Sequence, residues 1–216
     1  RKLVTSDPFD RAALFHQTRD RSIDRRYPSL FGARPDLPPI STLTASSAPD
    51  RVARYAYRSF DRQYVLADGR LGDFLRPPLW TVAGPQQIYF TSQLVGVLGE
   101  GPSAAVTAQV PDRHHFSGRG GKDVIPLWRD AAATEPNVTD GLLDLLAQEL
   151  GCPVSPEDLF AYAYGVLASP SYVERFSEEL TIPGPRIPLT RDPALFAEAV
   201  ELGRRLIWLH TYGTRF

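Results

Sequence analysis

The side chains of this chain best suited to chemistry are arginines, and the chemistry they suit is the gripping and reading of polyanions. Arg58-Ser59-Phe60-Asp61-Arg62 sets two guanidinium groups around a carboxylate, so that Asp61 can orient one while the other projects. The stretch Asp112-Arg113-His114-His115-Phe116-Ser117-Gly118-Arg119-Gly120-Gly121-Lys122 gathers basic side chains, a hydroxyl and three glycines. Glycine lets backbone N–H groups come close to a phosphate. Arginine pairs bidentately with guanine and glutamine with adenine, and Thr91-Ser92-Gln93 places a glutamine at the end of an expected strand. Lysine occurs only at Lys2 and Lys122 and asparagine only at Asn137, so Arg and Gln must carry any base readout. The candidate contacts are Arg58, Arg62, Ser92, Gln93, Arg113, His114, His115, Ser117, Arg119 and Lys122. Each has a plainer alternative: an ion pair at a strand end with Phe60 in the core, an ordinary strand end, or a flexible surface hairpin.

Other chemistries fail on residue types. The Asn/Asp-Pro-Pro-aromatic motif that holds the amine in amino-methyltransferases of DNA is missing, because Asn137 is followed by valine and no Asp-Pro-Pro occurs. A common nuclease core needs an acid two residues before its lysine, and Gly120 stands there. A phosphate-binding loop ending at Lys122 would need glycine at Phe116 and Ser/Thr at Asp123. No Gly-x-Ser-x-Gly exists, since Gly101-Pro102-Ser103 lacks the closing glycine. Adjacent histidines on a strand point to opposite faces, so His114 and His115 are poor joint metal ligands. No catalytic residue and no metal site are expected, although an unfamiliar hydrolase would use His114 or His115 as its base.

The elements that must position the candidates follow from local patterns. A short helix is expected from Asp10 to Asp20, then an extended Pro- and Ser-rich connector over residues 33–50. Short aromatic or β-branched runs at 54–58, 63–66, 87–92, 104–110 and 124–128, bounded by Asp68-Gly69, Gly84-Pro85, Gly101-Pro102 and Gly120-Gly121, predict mainly antiparallel strands. From residue 137 the pattern turns helical. Residues 141–150 are amphipathic, with Gly151 as a stop. Ser155-Pro156, Ser169-Pro170 and Asp192-Pro193 each pair a capping side chain with proline at the first helical position, predicting helices to about Leu167, Leu180 and His210. Tyr162, Tyr164, Tyr172 and Trp208 sit at helical spacing and read as core. The fold class is therefore α+β: a β-rich, mainly antiparallel region over 51–130 and a helical region over 137–212, preceded by an extension or linker over 1–50.

The chain has 216 residues and a formal net charge of −1. That near-neutrality hides an asymmetry: residues 1–130 carry an excess of basic side chains and residues 131–216 an excess of acids. A basic part facing a polyanion fits this pattern, as do ordinary solvated surfaces. No apolar run approaches the roughly 18 residues of a membrane span. The lone Cys152 allows no internal disulfide and no cysteine-based zinc site, so a cytoplasmic setting is expected. Methionine is absent and residue 1 is arginine, which suggests a piece of a longer or trimmed polypeptide.

Three segments in order carry a resemblance. They are Tyr57-Arg58-Ser59-Phe60-Asp61-Arg62-Gln63-Tyr64; Asp112 to Gly121 leading to Ile125-Pro126-Leu127-Trp128; and Phe160 to Phe176 followed by Pro185-Arg186-Ile187-Pro188-Leu189 and Leu206 to Tyr212. Over roughly residues 50–216 the chain resembles the C-terminal specificity domain of Type ISP restriction–modification enzymes, with Ser59 where that family usually has proline. The resemblance implies target recognition on double-stranded DNA. It also implies a parent polypeptide whose other parts are a helicase-like ATPase, an adenine methyltransferase and a nuclease using S-adenosylmethionine, ATP and Mg2+ in phage defence. This chain itself would carry no cofactor, would be monomeric, and would contact the methyltransferase and helicase-like parts. A competing reading is a structural coupling domain, whose helical, acidic half docks on the methyltransferase and leaves base reading elsewhere.

Overall fold

The computed structural model describes residues 7–32, 35–44, 46–47, 51–95, 98, 101–116 and 123–216. It divides into two compact units, Arg1–Tyr55 with Gln63–Thr81 and Ala56–Arg62 with Val82–Phe216. The boundary expected near residue 50 does not separate these units, because residues before and after it fold together.

The first unit has little regular structure. Helix α1 (Pro8–Leu14) starts before the expected Asp10 and ends well short of Asp20. Phe15, Ile23 and Ile40 form a small core on which Leu43 and Leu71 pack. Polar groups do much of the remaining tying. Arg11 is buried and its Nη1 donates to the carbonyls of Ile40 and Ser41 at 2.7 and 2.9 Å. The expected turn at Asp68-Gly69 is the seat of an ion pair: Arg70 Nε and Nη2 donate to the two oxygens of Asp68 at 2.9 and 2.5 Å, with both side chains almost wholly buried. Arg70 Nη1 reaches on to the Pro38 carbonyl at 3.2 Å. In α2 (Pro77–Thr81), which the sequence pattern did not announce, Trp80 stacks on Tyr55 and donates from Nε1 to the Leu75 carbonyl.

Strands β1 (Arg51–Arg58) and β2 (Asp61–Ala67) form a two-stranded hairpin. Its turn is Ser59-Phe60, and Phe60 takes a positive φ of 61°. Residues 56–62, the end of this hairpin, belong to the second unit.

The body of the second unit is an antiparallel sheet in the order β4-β3-β5, with β3 (Tyr89–Ser92) central between β4 (Ala105–Thr107) and β5 (Asp123–Pro126). Phe90 faces Val106 on one side and Ile125 on the other. Every residue of β3 is buried, as a central strand under a helical layer must be. That layer comprises α3 (Leu142–Leu150), α4 (Pro156–Leu167), α5 (Pro170–Arg175) and α6 (Pro193–His210). Ile88, Phe90, Val106 and Leu127 share one apolar core with Leu146, Leu150, Ala161, Tyr164, Leu167, Phe196, Val200 and Ile207.

Two of the three expected side-chain caps form, whereas Ser169 stands at the N-cap of α5 without a capping hydrogen bond from its side chain. Gly151 ends α3 in the left-handed region at φ 67°. Ser155 and Asp158 form a reciprocal capping box at the start of α4. Asp192 accepts from the Ala194 and Leu195 amides to open α6. Helix α5 stops at Arg175, short of the expected Leu180, and a 3-10 turn over Glu179–Thr181 follows. Where α4 crosses α6, Gly203 lies so near the Ala161 carbonyl that a Cβ there would sit 1.9 Å from the oxygen. Tyr162, Tyr164 and Tyr172 are core as expected, but Trp208 is half exposed on the outer side of α6. The helical period places Trp208 one position after Ile207, which takes the inward face. The Tyr162 and Tyr172 hydroxyls reach the carbonyls of Pro188 and Arg186, so the Pro-rich loop is pinned through its backbone.

Candidate nucleic-acid interface

The hairpin end and the segment 110–116 are built as one piece. The Ala56 amide donates to the Val110 carbonyl, and the Asp112 amide returns to the Ala56 carbonyl at 2.8 Å. Ser59 donates from both its amide and its hydroxyl to the His115 carbonyl. Asp112 is the node. Its Oδ1 accepts from Arg58 Nη1 at 2.9 Å and from the His114 amide at 2.8 Å, which fixes a side chain of the hairpin and the path of the loop with one oxygen. Arg58, Arg113 and His114 are thus held in one neighbourhood, each partly open to solvent.

Arg58 and Arg62 are both laid on aromatic rings. The Arg58 guanidinium carbon is 3.9 Å from the Tyr57 ring centroid, and that of Arg62 is 3.6 Å from the Tyr212 ring. The hairpin turn is latched as well: the Tyr212 hydroxyl donates to the Phe60 carbonyl, and the Phe60 ring meets His210 edge-on at 4.6 Å. His210 lies 2.6 Å through Nδ1 from the Tyr164 hydroxyl, and burial lowers its pKa from the ordinary histidine value. An apolar cavity of about 740 Å³ opens beside this latch, lined by Phe60, Phe116, Tyr164, Val173, Leu206 and His210.

Two candidates turn inward. Ser92 is 2% exposed and donates to the Ser103 carbonyl at 2.7 Å. His115 is 2% exposed with Nδ1 3.0 Å from Thr91 Oγ1. Thr91 Oγ1 also lies 3.0 Å from the Ala105 carbonyl oxygen. These side chains brace the loop and the sheet rather than face a ligand. The physical reason is the central place of β3, which seals its flanking side chains on both faces. Gln93, the next residue, is half-buried just beyond β3. Ser117, Arg119 and Lys122 lie outside the described residues.

The sequence reading passed over Asp112, Tyr57 and Tyr212 as site residues. Asp112 had a local signal, since an Asp side chain readily caps the amide two residues on. Tyr57 sits next to the arginine it supports. Tyr212 had no such signal, because its partner in the chain is 150 positions away. Among the described residues no group of three or more His, Cys, Asp and Glu is placed to hold a metal ion. No helix among them is long and apolar enough to cross a membrane.

Comparison with known proteins gives one family. The model of the Type ISP C-terminal specificity domain matches residues 2–215, and so includes the first fifty residues that the sequence motifs left unassigned. No curated protein matches. Among solved structures, a cryoEM DrdV–DNA complex is similar to the chain with a TM-score of 0.60 and 24% identity, covering 74% of this chain and 16% of that one. A nuclease-deletion mutant of the Type ISP restriction–modification enzyme LlaGI with a DNA substrate mimic aligns with a TM-score of 0.56 and 23% identity, over 79% of this chain and 12% of that one. The ATP-dependent Type ISP enzyme LlaBIII bound to DNA aligns with a TM-score of 0.59 and 20% identity, over 78% and 11%. At these identities the likeness is one of fold, and the chain spans 11% to 16% of the length of the chains it matches.

Proposed function

The chain belongs to the Type ISP C-terminal specificity domain family, and from that premise we propose that it recognises a target sequence on double-stranded DNA and catalyses nothing itself. The observation that carries this reading is the family match across residues 2–215. The geometry adds a means: Arg58 and the His114 amide meet at Asp112, with Arg113 next to it in sequence and a glycine-rich basic stretch following. The three structures it resembles in fold are complexes with DNA or a DNA mimic. In this reading, methyl transfer from S-adenosylmethionine and ATP- and Mg2+-dependent cleavage belong to other parts of the polypeptide, which this domain directs in the cytoplasm against phage DNA. Phosphate contacts set the register and base contacts set the sequence.

The test is a swap within the intact polypeptide. Replacing residues 2–215 by the corresponding domain of a family member with another target should transfer that member's target. It should leave the discrimination over random duplex within the usual range of about 10³ to 10⁷. Retention of the original target after the swap overturns the reading. It would favour the coupling alternative, for which one feature speaks: Leu195, Leu202 and Leu209, seven residues apart on α6, are each about half exposed.

A further inference from the structure

Resting on the reading of the chain as a DNA-recognising domain, we propose that Arg58 and Arg62 grip the phosphate backbone rather than base edges, with Asp112, Tyr57 and Tyr212 as the positioning residues that hold them for it. An arginine that reads a base must extend into a groove about 8.5 Å deep. Arg58 does the reverse. Its Nη1 turns back to the carbonyl of its own neighbour Tyr57 at 2.7 Å while also holding Asp112, and its Nη2 contacts the Tyr57 hydroxyl at 3.3 Å. The Arg62 guanidinium carbon sits over the Tyr212 ring. A guanidinium stacked on a ring lies along the protein surface, and lifting it into a groove would forfeit the cation–π attraction.

What remains open on Arg58 suits a phosphate. Nε and one Nη2 hydrogen take no partner among the described residues, which leaves an edge of the planar fork for phosphate oxygens. Asp112 would be a misplaced negative charge in a phosphate site if it stood alone. With its Oδ1 committed to Arg58 and the His114 amide, it sets the direction of that edge. Tyr212 is itself fixed, by its positive φ of 59° and its hydroxyl bond to Phe60. In this arrangement the latched hairpin sets the register of the domain on the duplex.

The experiment uses the intact polypeptide, with fluorescence anisotropy on two probes from 50 to 200 mM salt: a random-sequence duplex and the duplex that the unmodified protein enriches from a random pool. Arg58→Gln and Arg62→Gln should each weaken both probes by the same factor, about tenfold, and lower the salt slope by about 1, leaving the preference ratio unchanged. Asp112→Asn should weaken both probes in the same way, although it makes the protein more positive and plain electrostatics would tighten binding. Arg58→Lys, which keeps the charge without the fork, should recover part of the loss. Relaxed preference at one base position with unchanged random-duplex affinity would make Arg58 a base reader and overturn the proposal. So would tighter binding by Asp112→Asn, or unchanged affinity for both probes in the arginine variants. Circular dichroism of each variant separates these results from unfolding, and the two arginine substitutions are at side chains partly open to solvent. If the unmodified protein enriches no sequence at all, it is the DNA-recognition reading that fails, not this assignment.

Discussion

The two compact units are held together by different means. The second has a continuous apolar core in which a buried sheet meets four helices. The first has a small cluster of Phe15, Ile23 and Ile40, further buried side chains that include Leu30, Leu75 and Trp80, and beside them guanidinium groups that reach across tens of residues to backbone carbonyls. Apolar packing is non-directional and tolerates small errors of fit. Buried charge is directional, and each partner is costly to leave alone. The same residue type is put to different uses: Arg11 and Arg70 in the first unit and Arg215 in the second tie distant backbone carbonyls, while Arg58 and Arg62 lie over rings and stay partly open to solvent.

The sharpest way to break this contrast is at Asp68. Asp68→Ala leaves Arg70 buried without its counter-charge, and the expected loss is about 3–5 kcal/mol. The double change Asp68→Leu with Arg70→Met should cost much less, since it removes both charges together. Urea denaturation followed by tryptophan fluorescence and by circular dichroism measures both. A loss under about 1 kcal/mol for Asp68→Ala would mean that the first unit does not depend on its ion pair.

The second unit breaks through volume. Gly203→Ala puts a Cβ 1.9 Å from the Ala161 carbonyl oxygen, which α4 and α6 can relieve only by moving apart. Alanine gains about 1 kcal/mol of helix propensity over glycine, and overpacking costs about 1–3 kcal/mol or more. The expected net loss is about 2 kcal/mol in the urea midpoint analysis. A stabilised Gly203→Ala protein would show that the two helices are not in close contact there.

These contrasts explain what could be read from the sequence. The starts of α4 and α6 and the stop at Gly151 were legible because capping is local: Ser155, Asp192 and Gly151 act within a turn of where they stand. The strands around Tyr89–Ser92 were legible from β-branched and aromatic runs. The first unit was not, because its ties join residues far apart in the chain and several are polar, and Arg11 counts as surface charge until the Ile40 and Ser41 carbonyls are seen around it. For the candidate site the sequence offered residue types without their places: Arg58 and the His114 amide meet at Asp112, whereas Ser92 and His115 are buried in and against the sheet. Nothing in a sequence window says that β3 will be the middle strand.

The smallest expected effect lies at the latch between the hairpin turn and α6, where burial holds the His210 pKa below its ordinary value. The folded protein therefore binds that proton less readily than the unfolded chain, whose histidine titrates near about 6.5. The favourable state, neutral His210 beside Tyr164 and under Phe60, is fully available above that value. Stability is lost as pH falls through it toward the depressed folded pKa. His210→Gln removes this titration, at the expense of the ring contact with Phe60 at every pH. The urea midpoint of the unmodified protein should consequently fall more than that of His210→Gln between pH 7.5 and 5.5, so that the two curves converge on acidification. Parallel curves would mean that His210 is as open to water as a surface histidine, and that the hairpin turn is fixed by Tyr212 and Ser59 without it.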